Sequence, residues 1–158
     1  MVCNGCAYAN KTRQREESLD CSCPFCRQPV PTTKAELNQN EMKRIEKNDP
    51  VALREVGKEH CDRGDYEDAF EYWTKAAGLG DVAAHYQLSV LYREGHGVEK
   101  DEKKLMYHLE EAAIAGHPNA RFNLACHEGM NDRIDRAVKH FIIAANLGYD
   151  KSIQALKE

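Results

Sequence analysis

Apolar residues in the second half of the chain return at helical intervals. Ala84, Leu88, Leu91 and Tyr92 stand at i, i+4, i+7 and i+8, which is one face of an α-helix. Gly95 and Gly97 interrupt that face. Asp101 then opens a second helix through Leu105, Leu109, Ala112 and Ala113, and Gly116 closes it. An acidic residue suits a helix N-terminus and a glycine suits a C-terminal cap. Further upstream, Thr33-Lys-Ala-Glu36 reads as a capping box that starts a helix running to about Lys47. Asn48-Asp-Pro50 breaks it, and Pro29-Val-Pro31 marks an earlier boundary. No segment alternates with period two, so the expected fold class is all-α with little sheet.

The pattern repeats. Ala52, Ala84 and Ala120 fall in register, as do Val56, Leu88 and Leu124, and the small residues Gly57, Ser89 and Ala125. Later in each unit Ala76-Ala77, Ala112-Ala113 and Ala144-Ala145 precede Gly80, Gly116 and Gly148. Those glycines are 36 and 32 residues apart, and the difference lies in the Gly95-His-Gly97-Val98 loop, which has no full counterpart in the other two units. A partial fourth unit begins at Gly148, with Ser152 and Leu156 in the Ala and Leu places. The expected organisation is a cysteine-rich segment at 1–31, a linker and capping helix at 32–47, and repeats over 48–158, divided as 48–79, 80–115, 116–147 and a partial 148–158. One helical hairpin cannot bury its apolar face alone, whereas stacked hairpins share a core. Small residues let paired helices approach closely, and Tyr72, Trp73 and Phe141 fill the remaining space.

The run Ala84-x-x-x-Leu88-Ser89-x-Leu91-Tyr92-x-x-Gly95-x-Gly97-Val98-x-x-Asp101, followed by Glu110-Glu-Ala-Ala113-x-x-Gly116-His117, resembles the Sel-one-like repeat (SLR), a relative of the tetratricopeptide repeat. The resemblance covers about Asn48 to Glu158. It is weakest in the first unit, where the loop shortens to Arg63-Gly64-Asp65. It implies a right-handed α/α superhelical solenoid with a concave face, and an adaptor or scaffold that binds other proteins or peptides. On the first helix of the second unit, Tyr86, Val90 and Arg93 lie on a different face from Ala84 and Leu88. The resemblance directs that face into the groove. The expected partner contacts are Arg54, Lys58, Tyr86, Arg93 and Phe122. The two aromatic residues have a second place to go, in the packing against the next repeat, and the cations a second role as solvated surface.

Charge and composition add exclusions. The 158 residues carry a net charge of −4, which gives no reason to expect a nucleic-acid partner. No apolar run approaches the roughly 20 residues that span a membrane, and no signal peptide opens the chain. The expected location is the cytosol, with the nucleus reachable by diffusion. No glycine-rich phosphate loop is present, because Gly95-x-Gly97 lacks a third glycine and a preceding strand. His60-Cys61 and Cys126-His127 are adjacent on helices and point about 100° apart, so neither is a preorganised nucleophile and base. Both cysteines read as buried structural residues. The chain is expected not to be an enzyme.

Five of the seven cysteines lie in the first 26 residues. Without a secretion signal, such clustering argues for metal rather than disulfides. Cys3-Asn-Gly-Cys6 and Cys23-Pro-Phe-Cys26 are C-x-x-C pairs, each presenting two thiolates at a spacing that tetrahedral zinc accepts. On spacing, Cys3, Cys6, Cys23 and Cys26 make one four-thiolate zinc site. Cys23-Pro-Phe-Cys26-Arg27 also resembles the end of a RING-type zinc finger. Val2-Cys3-x-x-Cys6, with a helix expected from Tyr8 to about Ser18, resembles its middle. In that family the two pairs serve different zinc ions, and each ion needs a further pair upstream. The resemblance therefore covers half a finger, and implies either part of a longer one or a rearranged site with Cys21 as a substitute ligand. Ubiquitin-ligase activity is the alternative function, with the repeats recruiting substrate. A ubiquitin-conjugating enzyme is a partner only if the finger is complete.

Overall fold

The structure, a computed structural model, describes residues 33–157. The chain divides into two compact units, Met1–Lys47 and Asn48–Glu158. In the first, helix α1 runs Lys34–Glu46. The Thr33 hydroxyl accepts the Glu36 amide at 3.2 Å and the Glu36 carboxylate accepts the Thr33 amide at 3.4 Å, so two N–H groups without helical partners are satisfied reciprocally.

The second unit contains α2 (Pro50–Arg63), α3 (Tyr66–Gly78), α4 (Val82–Glu94), α5 (Glu102–Ile114), α6 (Pro118–Met130), α7 (Ile134–Asn146) and α8 (Asp150–Ala155). Among the described residues there are eight helices and no strand. Packing runs from each helix to its chain neighbour, which makes a solenoid of three hairpins, α2–α3, α4–α5 and α6–α7, followed by a short fourth start. Asp49, Asp81 and Asp101 cap α2, α4 and α5 through their carboxylates, and the imidazole of His117 does the same for α6. The Ala-Ala-x-x-Gly signature closes each second helix by one geometry. Asp81, His117 and Tyr149 donate their amides back to Ala76, Ala112 and Ala144 at 2.9–3.0 Å, across glycines whose φ is 86–89°.

The core is a column of small residues. Ala52, Ala84, Ala120, Ala76, Ala112 and Ala144 are all at most 1% exposed, which allows backbone-close packing within and between hairpins. Ser152 occupies the same place in the fourth start and is fully buried, and its hydroxyl has no hydrogen-bond partner. A buried hydroxyl that gave up water for nothing costs about 1 kcal/mol or more. Ser152→Ala is therefore expected to stabilise the protein by about 1 kcal/mol in urea denaturation, and a loss of stability would mean that the hydroxyl has a partner.

Each hairpin also carries a small residue on its first helix and a large one on its second at equivalent positions. In hairpin 1 these are Gly57 and Trp73. The indole is 2% exposed and lies so close that a Cβ on Gly57 would stand 2.6 Å from Cδ1 and Nε1. Its N–H donates to the Arg54 carbonyl at 3.1 Å. Hairpins 2 and 3 carry Ser89 with Leu109 and Ala125 with Phe141 at the same positions.

The turns inside the hairpins differ. In hairpin 2, Gly97 has φ 68° and sits against the backbone at the start of α3, and His96 stacks on Tyr66 with ring centroids 4.5 Å apart. Hairpin 3 has no glycine in its turn, and Asp132 takes the left-handed conformation at φ 57°. There the buried Glu128 carboxylate accepts from the Arg133 guanidinium and lies 3.5 Å from Arg136, while the Arg133 amide donates to the Glu128 carbonyl at 3.0 Å. The Arg133 hydrogen bond, opposed by burial and reinforced by the nearby cations, holds the Glu128 carboxyl below the usual range.

Candidate protein-binding groove

Helices α4, α5 and α6 together line an open groove of about 270 Å³. Leu105 and Leu109 come from α5, Ser89 and Arg93 from α4, and Asn123, Cys126, His127 and Met130 from α6. Leu109 is 3% exposed and Met130 is 84% exposed, so the lining runs from core to open rim. The charged rim is locally balanced. Arg93 Nε lies 2.9 Å from Glu94, and His127 Nε2 lies 3.7 Å from Glu102. Burial pushes the Cys126 thiol up, which slows its reaction at neutral pH but leaves it open to alkylation. Enclosed small-molecule sites generally hold about 300–1,000 Å³. This groove is smaller and open, with room for one or two side chains of a partner.

Of the expected partner contacts, Arg93 lines this groove. Lys58 is exposed on α2. Arg54 is tied to Asp81 at 3.0 Å and to Glu55 at 2.7 Å. Tyr86 stacks on His117, with centroids 4.5 Å apart, and packs against the cluster around Leu109, Ala112 and Leu124. Phe122 meets Phe141 and Tyr149 at 5.4 and 5.0 Å. Of these five residues, only Arg93 is among those that line the groove. Asp81 carries no warning in the sequence beyond its capping position. It is 8% exposed, accepts the Ala84 amide at 2.8 Å and anchors Arg54 from the preceding hairpin.

Cys61 and Cys126 are half-buried rather than fully buried, and burial raises both thiols. His60 faces Asp65 and Asp68 at 3.7 and 3.4 Å, and the three ligand-type atoms lie within 4.8 Å of one another. Both carboxylates are more than half exposed, so the cluster is loose and open to water. On the outer side of α7, Ile134, Ile142 and Ile143 are exposed where α3 and α5 carry Tyr66 and Glu102, Thr74 and Glu110, and Lys75 and Glu111. The proposed zinc ligands Cys3, Cys6, Cys21, Cys23 and Cys26, with the RING-like segment, lie outside the described residues. No helix among the described residues is long and apolar enough to cross a membrane.

Known proteins share this architecture. A Sel1 repeat protein from Oxalobacter formigenes superposes with a TM-score of 0.69 at 23% identity, covering 77% of this chain and 98% of its own. The protective antigen c5321 of uropathogenic Escherichia coli, which displays an SLR fold, gives 0.64 at 28% identity over 74% of this chain and 27% of its own. In sequence, the Helicobacter pylori protein HcpC, which carries a provisional beta-lactamase name, is 39% identical over 56 residues. That match takes in 35% of this chain and spans only 19% of HcpC. The Sel1 repeat signature itself matches residues 51–81, 82–117 and 118–149, one match for each hairpin, and the chain belongs to the Sel1 repeat family.

Proposed function

We propose that this protein is a non-catalytic scaffold that takes a segment of another protein into the groove between α4, α5 and α6. Sel1 repeat proteins act as protein-interaction scaffolds. The observation that carries the reading here is the groove itself, where the apolar Leu105, Leu109 and Met130 lie beside Arg93, Asn123 and His127. An apolar floor with a few polar groups on its rim suits an anchor side chain flanked by hydrogen-bonding backbone. Lys58, on the exposed surface of α2, is a candidate for longer-range charge contacts. Tyr86 supports the groove from behind through its packing on the Leu109 cluster.

The beta-lactamase name of HcpC gives this chain no catalytic role. The two serines among the described residues are Ser89, whose hydroxyl donates to the Tyr86 carbonyl at 2.6 Å, and Ser152, which is fully buried. Neither hydroxyl donates to a base, the arrangement that activates a serine nucleophile.

Peptides selected from a random display library on the full chain provide the test. They are expected to protect the Cys126 thiol from alkylation and to lose about tenfold or more in affinity on Met130→Asp or Arg93→Glu, the size of loss expected at interface anchors. Peptides that bind both variants as well as the parent would place the binding surface elsewhere.

A further inference from the structure

The hairpins differ at two equivalent positions that face each other across the first and second helices. In hairpin 2 these are His85 and His108, whose Nδ1 atoms stand 3.1 Å apart. In hairpin 3 they are Arg121 and His140, with Nη1 of the arginine 3.3 Å from Nδ1 of the histidine. In hairpin 1 the same positions hold Leu53 and Tyr72. The cap of the first helix differs too. Asp49 and Asp81 serve hairpins 1 and 2, whereas hairpin 3 uses His117, whose Nδ1 accepts the Ala120 amide at 3.3 Å.

All three contacts need an imidazole lone pair. The Ala120 amide donates to His117, the Arg121 guanidinium donates to His140, and between His85 and His108 one ring donates while the other accepts. A protonated imidazole has two donors and no acceptor. Protonation therefore sets donor against donor at the His117 cap and between Arg121 and His140, where it also sets cation against cation, and the His85–His108 contact is broken the same way once both rings are protonated.

We propose that hairpins 2 and 3 are held by an acid-sensitive latch, made of the His85–His108 pair, the His117 cap and the Arg121–His140 pair, which protonation releases. The surroundings agree. His108 also faces Tyr92 from α4, and Lys104 and Tyr107 from its own helix, with no carboxylate among them. His117 faces Tyr86 and the Asp81 carboxylate, which is already engaged by Arg54. His140 faces Arg121 and Glu128 from α6 and Arg136 from α7, and Glu128 is itself held by Arg133 and Arg136. Burial, chiefly, pushes all three imidazoles below their ordinary value, His108 to about 4. The other histidines lack this arrangement. His60 faces two aspartates, His127 faces Glu102, and His96 stacks on Tyr66.

The sign follows from these directions. A base whose folded value lies below its unfolded value leaves the unfolded chain holding more protons in between. Stability is complete above the ordinary value of 6.5 and falls as pH drops towards about 4. The test is an acid titration of the full chain from about pH 7.5 to about pH 3.5, followed by helical circular dichroism and by the histidine ring resonances. His85→Leu with His108→Tyr installs the hairpin 1 pair, and His117→Asp installs the cap of hairpins 1 and 2. Each is expected to lower the acid midpoint by about half a pH unit or more, with His60→Gln failing to lower it. In the unaltered chain His108 is expected to titrate at about 4. Unchanged midpoints in the swapped variants would overturn the latch. So would ordinary titration of His108 and His140, which is read on the parent chain whether or not the variants fold.

Discussion

Gly57→Ala is expected to destabilise the protein by about 2–3 kcal/mol, the upper part of the usual range for an overpacked core. The added methyl would lie 2.6 Å from two atoms of the Trp73 indole, a rigid and fully buried ring with no free end to swing away. Moving the ring also breaks its hydrogen bond to the Arg54 carbonyl. The neighbouring hairpins supply the remedy, since they carry Ser89 with Leu109 and Ala125 with Phe141 at the equivalent positions. Trp73→Leu alone leaves a cavity and is expected to cost a comparable amount. The double variant is expected to be less destabilised than the two single changes summed, with a favourable coupling of about 1–2 kcal/mol. Urea denaturation followed by circular dichroism reads all three proteins without relying on the tryptophan. Strict additivity would show that the indole is not what forbids a side chain at position 57.

Gly97→Ala is expected to cost roughly 3 kcal/mol, in two parts. A left-handed backbone costs a residue with a Cβ about 1–2 kcal/mol. The rest is steric, because the new Cβ would stand 2.6 Å from the Tyr66 carbonyl carbon and 2.8 Å from the Glu67 nitrogen, and that backbone starts a helix. Gly95→Ala is the internal control. Gly95 is also left-handed, at φ 76°, but its Cβ meets only the flexible Lys100 side chain. Its expected cost is the backbone part alone, about 1–2 kcal/mol. The comparison by chemical denaturation separates the two effects. Equal losses at both positions would mean that the loop moves off α3 at little cost.

The hairpins were legible in the sequence because their determinants are local or periodic. Asp101, Pro50 and the Ala-Ala-x-x-Gly closures act within a few residues of where they stand, and the alanine register repeats with the units. The capping box at Thr33 was readable for the same reason. The groove was much less legible. A helical wheel places Tyr86, Arg93 and Phe122 on outward faces, but it says nothing of what the next hairpin brings against them. His117 covers Tyr86, Tyr149 covers Phe122 and Asp81 takes Arg54, each across a boundary between units. Arg93 remains in the groove, where it pairs with Glu94 beside it on the same helix. Glu128 escaped notice since its partners, Arg133 and Arg136, sit beyond a turn that lacks the glycine marking the turns of the other hairpins. Comparing equivalent positions across the units was the signal that could have found His85, His108 and His140.

The Gly57–Trp73 match has a genetic consequence. Near-identical units invite unequal crossing-over, which lengthens or shortens such proteins by whole repeats. A junction within a hairpin would join Ser89 to Trp73, putting a Cβ where 2.6 Å is available, or Gly57 to Leu109, leaving a void. A junction at Gly80 or Gly116 keeps every small residue with the large one it was fitted to. Those glycines have nothing within 4 Å of the Cβ position, so the residue at the seam is not itself fitted to a large side chain. Recombinants of this gene are thus expected to survive when they trade complete hairpins, which makes the hairpin the heritable unit of the molecule as well as its repeating one.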